Sequence, residues 1–330
     1  GCVCWPLVMA ICARRGPIAS SSACSAASFS PVGGHCGGSS SAVAEAAARL
    51  AGVSRVRLAE AAHLENASPE NVAAQIVALF PVDDNGHIHA EMADHLALHG
   101  ALEQLFKGLS NEDIAASIQV ATEQVIVNWL QALLKKHPAK YIAMSGGVFS
   151  NVRLNQLVVE LSGIEEVFIF PAMGDEGLPV GACVDYWIAS QGMAKLTRDR
   201  LTHLYYGWPY TGEDLLSAGE RLGFRVERSP EHVQKTAQML ADNWVGAIFY
   251  GAMEMGPRAL GARTILASPA QREVNDSINK RLQRTEFMPF APFVLDVDAE
   301  RVYDVDERNR YACRFMTITT KVKPEWADKI

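Results

Sequence analysis

Two glycine-punctuated loops, Ser145-Gly146-Gly147-Val148-Phe149-Ser150-Asn151 and Gly174-Asp175-Glu176-Gly177, carry the residue types that hold an anion. Glycine lets the backbone approach a ligand closely. Where a helix starts, free N–H groups and the positive end of its dipole point at whatever sits there. A phosphate is the natural guest of such a pair, and Asp175 offers a hard oxygen ligand for an accompanying metal ion. Positive charge is concentrated further on: Arg258, Arg263, Arg272, Lys280, Arg281 and Arg284 fall in a short span of a chain whose net charge is −7. A guanidinium offers a planar fork that fits carboxylate or phosphate oxygens two at a time. Arg258 and Arg263 stand between glycines and apolar residues, where a charge needs a partner. For Arg272, Lys280 and Arg281 the lesser alternative is the solvated face of a helix from about Gln271 to Arg284.

The elements that must position these loops follow from periodicity. Tyr141–Met144 reads as a strand, followed by the first loop and a helix carrying Leu154, Leu157, Val158 and Leu161; Val167–Phe170 is a second strand, followed by the second loop and a helix over Leu178–Ser190. Residues from about 66 to 110 read as helices and a turn. Ser110–Pro138 is a strong helix with Ser110 as cap, Asp113 three residues on, and Trp129, Leu130, Leu133 and Leu134 on its apolar stripe. Met193 to Tyr210 reads as a linker, because the basic run Lys195 to Arg200 and the turn Gly207-Trp208-Pro209 interrupt any period. A further α/β unit starts near Gly212, with strands expected at Val245–Tyr250, Phe293–Asp298 and Arg314–Val322. His95 and His99 have a spacing that places both on one helix face, a workable metal geometry, but they read as a partly exposed surface. His87 and His89 follow the turn Asp83-Asp84-Asn85-Gly86 and receive no role.

The pattern Ser145-Gly-Gly-Val-Phe-x-Asn151-Val-x-Leu-Asn155, then Gly174-Asp175-x-Gly177-x-x-x-Gly181-Ala182, preceded by Asp113 to Gln119, resembles the O-carbamoyltransferases of nodulation-factor and antibiotic biosynthesis. The match is to the second half of their nucleotide-binding domain. Gly256-Pro-Arg-Ala-Leu-Gly-Ala-Arg-Thr-Ile-Leu-Ala-Ser-Pro269 and Asn279 to Pro292, with Pro289-Phe290-Ala291-Pro292 at its end, are similar to the segment opening the C-terminal domain of the same family. What the resemblance implies is an α/β protein: the second half of an actin/sugar kinase/Hsp70-like nucleotide-binding domain, then the start of a YrdC-like α/β domain. It further implies that Gly146, Gly147, Asn151 and Gly174 contact nucleotide, that Asp175 ligates a divalent metal ion (iron, manganese or magnesium), and that Arg258, Arg263, Lys280 and Arg284 serve the chemistry. The implied reaction activates the carbamoyl group of carbamoyl phosphate with ATP, as carbamoyl-adenylate, and passes it to a hydroxyl of a sugar, aminoglycoside or related secondary metabolite. Gln283 and Met288 depart from the family, which commonly carries Lys and Arg there, leaving Lys280 or Arg284 to compensate. Other readings stay open: a noncatalytic nucleotide-binding fragment, a sugar kinase, or a tRNA-threonylcarbamoyl enzyme. The kinase reading leaves Gly256 to Pro292 unexplained, and the acidic balance counts against a tRNA partner.

Composition bounds the rest. A chain of 330 residues, 49% of them apolar, can bury two ordinary cores. No apolar run reaches the ~18 residues of a membrane span, so a cytoplasmic enzyme of small-molecule substrates is expected, with neither a nucleic acid nor a membrane as partner. The first 44 residues stand apart: they contain no Asp, Glu or Lys, nine serines, and five of the seven cysteines, at 2, 4, 12, 24 and 36. No Cys-x-x-Cys pair is present to suggest zinc. Residues 1–60 are therefore expected to be a disordered or frame-shifted leader, 61–192 a partial N-terminal carbamoyltransferase domain, 193–211 a linker, and 212–330 a partial C-terminal domain. The resemblance implies that the family pattern extends beyond both ends of this sequence.

Overall fold

The computed structural model describes residues 10–12, 68–90, 94–196, 199–270, 273–283, 290–327 and 329. Apart from 10–12, the expected leader over residues 1–60 lies outside the described residues, as do Arg272, Arg284 and Met288. Two compact units are formed, one from residues 14–139 and one from residues 1–13 with 140–330. Their division falls inside the stretch 61–192 that the sequence suggested was one domain.

The unit over 14–139 contains α1 (Pro69–Ala78), α2 (His95–Leu105) and α3 (Asn111–Lys136). Each begins where an oxygen side chain can satisfy free amides: Ser68 accepts from Asn71 N, Asp94 from Leu96 N and Ala97 N, and Ser110 from Asp113 N at 3.1 Å. Val72, Ala73 and Ile76 pack with Leu102, Phe106 and Ala121 as the core. Between α1 and α2 the chain turns through Gly86 at φ +77°, and the Trp129 indole donates to the Gly86 carbonyl at 2.9 Å. Asp83 organises this turn. Its carboxylate accepts from the backbone of His87 and Asn85 and contacts both the His89 and His87 rings, and the His87 backbone contact, followed by that to the His89 ring, holds it well below the usual carboxylate range. His95 is exposed and His99 lies 3.7 Å from Glu103.

The other unit contains, in chain order, β1 (Ala10–Cys12), β2 (Tyr141–Met144), α4 (Val152–Val159), β3 (Glu166–Ile169), α5 (Leu178–Gln191), β4 (Tyr205–Pro209), α6 (Gly212–Arg221), α7 (His232–Ala241), β5 (Gly246–Phe249), β6 (Ala252–Glu254), β7 (Arg263–Leu266), α8 (Glu273–Arg281) and β8 (Phe293–Leu295). Strands β2 and β3 are parallel, Tyr141 opposite Glu166, joined by the crossover through α4 that a parallel pair requires. Pairs β4–β6 and β5–β7 are antiparallel, and β1–β8 is parallel. Leu154, Val158, Val167, Ile169 and Ala172 are fully buried, and Leu204 packs with Leu260 and Phe315.

Three expectations are corrected. The stretch read as a linker contains β4, because Gly207 lets the chain press against Met253, where a Cβ would lie 2.7 Å from the Met253 Cβ. Pro209 is tolerated because it ends a strand paired on one side. Conversely, Arg314–Val322 is not a strand. Met316 adopts φ +55°, and threonine hydroxyls tie the segment to carbonyls, Thr317 to Ala312 at 3.0 Å and Thr320 to Asp304 at 2.7 Å, in place of a ladder. The expected strand from Phe293 also stops at Leu295, where Asp296 turns to meet Arg310 at 2.9 Å and Arg314 at 3.6 Å. No helix among the described residues is long and apolar enough to cross a membrane.

Candidate anion site

The first loop leaves β2 through Gly146 at φ +116°, a conformation that L side chains rarely adopt. Its N–H donates to the Met173 carbonyl at 2.8 Å, which ties the first loop to the approach of the second. Gly146 and Gly147 are exposed, and a Cβ on either would meet nothing within 4 Å, so the backbone there is open to an incoming group. Asn151 caps α4, its side chain accepting from Leu154 N at 3.1 Å. One turn on, the fully buried Asn155 donates to the Phe149 carbonyl at 2.8 Å and the Thr317 carbonyl at 2.7 Å, fixing the loop from beneath.

In the second loop Gly174 N donates to Glu176 Oε1 at 3.1 Å, while Asp175 is exposed. Gly177 is where α5 is launched: a Cβ there would lie 2.1 Å from the Ala172 carbonyl oxygen, so no side chain fits without moving backbone.

The arginine segment reaches both loops. Gly256, at φ +96°, presses on Pro171, where a Cβ would lie 2.9 Å from the carbonyl oxygen. Arg258 then donates through Nη2 to the Ser150 carbonyl at 3.1 Å, while its Nε is buried without a partner. Burial pushes this guanidinium below its ordinary value, and the Glu176 carboxylate acts in the opposite direction.

Glu254 shapes the segment and was missed in the sequence. It is buried, and its Oε1 collects three backbone N–H groups, from Leu260 at 2.9 Å, Ala262 at 2.6 Å and Arg263 at 3.0 Å. Burial alone would raise this carboxyl, but the backbone donors, including its own, outweigh it and hold the group below its ordinary value. The available signal was a single acid between Met253 and Met255 in an otherwise apolar run.

Arg258 is thus brought to the glycine loops; Arg263 is engaged elsewhere. Its guanidinium donates to the carbonyls of Tyr250 at 3.1 Å, Ala262 at 2.9 Å and Gly251 at 3.1 Å, and lies 3.5 Å from the centre of the Phe249 ring. Lys280 is exposed on the last turn of α8. Around Asp175 the metal donors are too few: among the described residues no group of three His, Cys, Asp or Glu is arranged to hold an ion.

Residues 83–184 match the carbamoyltransferase N-terminus family, and residues 237–330 match the carbamoyltransferase C-terminus family. The glycine loops lie in the first match and Arg258 in the second. The chain belongs to the carbamoyltransferase family. An uncharacterized protein of Methanocaldococcus jannaschii is 32% identical over 235 residues, covering 69% of this chain and 38% of that protein. Nodulation protein NolNO of Sinorhizobium fredii is 30% identical over 218 residues, covering 64% of this chain and 32% of that protein. Nodulation protein U of the same organism is 29% identical over 223 residues, covering 66% and 37%. The chain spans well under half the length of these curated relatives.

Proposed function

We propose that this chain forms part of an ATP-dependent O-carbamoyltransferase that activates carbamoyl phosphate as carbamoyl-adenylate and delivers the carbamoyl group to a hydroxyl of a sugar or secondary metabolite. The observation that carries this reading is Arg258, a half-satisfied guanidinium set between a loop of open glycine backbone and a second glycine loop. The same reading assigns 61–192 to an actin/sugar kinase/Hsp70-like nucleotide-binding domain and 212–330, with the Arg258 segment, to a YrdC-like one.

When bound, ATP would supply the adenylyl group that makes the carbamoyl carbon a better electrophile: water releases phosphate from carbamoyl phosphate, the carbamate displaces pyrophosphate from ATP, and the acceptor hydroxyl then displaces AMP. The chain's own residues bind and orient. Open backbone at Gly146 and Gly147 admits phosphate oxygens without a side chain in the way. Arg258 neutralises phosphate charge, a positioning and electrostatic role rather than covalent chemistry. Glu254 holds the Arg258 segment in shape, and Arg263 braces the corner at Tyr250 and Gly251. A divalent ion would find in Asp175 one oxygen ligand, which does not make a complete site with the described residues.

Arg258→Ala is expected to weaken ATP binding by about tenfold or more in calorimetry, with Arg258→Lys restoring little because a point charge cannot reproduce a fork. ATP turnover should release pyrophosphate, and only when carbamoyl phosphate is present. Release of ADP instead would favour the kinase reading, and unchanged ATP affinity in Arg258→Ala would remove the anion site.

A further inference from the structure

We propose that Asn155 is a positioning residue for the anion site: from within the core, its side-chain amide sets the turn of backbone on which Arg258 rests. The proposal deepens the anion-site reading above and rests on it.

Asn155 lies fully buried on α4, and the two halves of its amide fare differently. Nδ2 donates to the Phe149 carbonyl at 2.8 Å and to the Thr317 carbonyl at 2.7 Å, the latter 162 positions along the chain. Oδ1 is buried and, among the described residues, has no hydrogen-bond partner. A buried acceptor left unpaired costs stability, so what the position gains from asparagine is its two donors.

Those donors hold the descent of the first loop into α4. Each carbonyl from 149 to 152 meets a donor: Phe149 the Asn155 side chain, Ser150 the Arg258 Nη2 at 3.1 Å, Asn151 the Asn155 N–H at 3.1 Å, and Val152 the Thr319 N–H at 3.2 Å. The Phe149 and Ser150 carbonyls belong to adjacent rigid peptide planes, so the direction of the first constrains that of the second. Asn155 thereby reaches Arg258 without touching it. It pins the Phe149 carbonyl, the pinned plane orients the Ser150 carbonyl, and that carbonyl holds the guanidinium whose buried Nε has no partner. The other Asn155 bond ties this arrangement to a braced segment, where Thr317 Oγ1 donates to the Ala312 carbonyl at 3.0 Å and Thr319 Oγ1 to Gln156 Oε1 at 2.8 Å.

The test is calorimetric titration of inorganic pyrophosphate into the 330-residue chain and its variants. Asn155→Leu, close in shape but without donors, is expected to weaken binding by about three- to tenfold. Thr320→Val removes a hydroxyl bond to the Asp304 carbonyl, at 2.7 Å, on the same segment but away from the loop, and should leave affinity unchanged. In an Arg258→Ala background Asn155→Leu should add no further loss, because its effect passes through that arginine. Losses that add in full, wild-type affinity in Asn155→Leu, or equal weakening in Thr320→Val would each overturn the proposal. Should Asn155→Leu not fold, the unmutated chain decides by nuclear magnetic resonance. The Asn155 side-chain amide signals must shift on pyrophosphate addition and saturate with the calorimetric curve; signals that stay fixed while pyrophosphate binds sink the positioning role. Wild-type pyrophosphate affinity in Arg258→Ala is a separate failure, which removes the anion site itself.

Discussion

Strand, glycine loop and helix occur twice in succession, and the two copies end differently. In α4 five of eight residues are buried, with Leu154 and Val158 wholly inaccessible; in α5 none of fourteen is buried, and Leu178, Val184, Tyr186 and Trp187 are exposed. Yet α5 is the more apolar helix. The difference lies in how apolar residues are distributed. The apolar side chains of α4 form one stripe, which this unit's own strands and C-terminal segment cover, while α5 is apolar all round and is suited to cover on several sides. Helices α6 and α7 are amphipathic and likewise have no buried residue.

The largest expected effect tests this contrast directly. Leu154→Ala should cost about 2–5 kcal/mol, through lost burial and a cavity that relaxes only partly. Tyr186→Ser on α5 should stay within about 0.5 kcal/mol, the range of surface substitutions. Urea unfolding of both variants measures the difference, and equal losses would show that α5 is covered after all. Next come the glycines. Gly177→Ala forces a methyl group onto the Ala172 carbonyl and should cost about 1–3 kcal/mol, whereas Gly147→Ala enters open space and should be nearly silent in thermal unfolding. Asn151→Ala removes the cap of α4 and should cost about 1 kcal/mol while α5, which has no side-chain cap, offers no equivalent position. The smallest and most gradual effect is acid sensitivity. Glu254 sits below its ordinary value of 4.5 in the folded chain, so its stabilisation is present above that value and is lost as pH falls through it toward the folded one. Glu254→Gln should flatten that part of the acid dependence in urea titrations, and an unchanged profile would mean that the loss comes from other carboxylates.

Local pattern carried far in this chain, and it failed where the decisive partner was distant in sequence. Strand β2 was legible from its short apolar run before a glycine loop, and the start of α3 because a period and the Ser110 cap coincide. The false strand at Arg314–Val322 shows the limit: its β-branched residues fit a ladder, but carbonyls at Asp304, Ala312 and Val152 claim the threonines instead. Strand β4 failed in the opposite sense, hidden behind glycine and proline that an edge position tolerates. In the site, the glycines and Arg258 could be named from the sequence because their chemistry is intrinsic. That Arg258 would rest on Ser150, 108 positions away, and Arg263 on the carbonyls of Tyr250 and Gly251 at the end of the paired strand β5, is set by tertiary contact.

The hydrogen bond from Gly146 to Met173 gives the two loops a shared clock. An amide locked to the neighbouring loop exchanges its proton with solvent only when the two loops part, so its exchange rate counts how often they separate. A ligand that bridges them would slow that rate, and one that wedges between them would speed it up, which makes a single backbone proton a sign-sensitive gauge of how the site is entered.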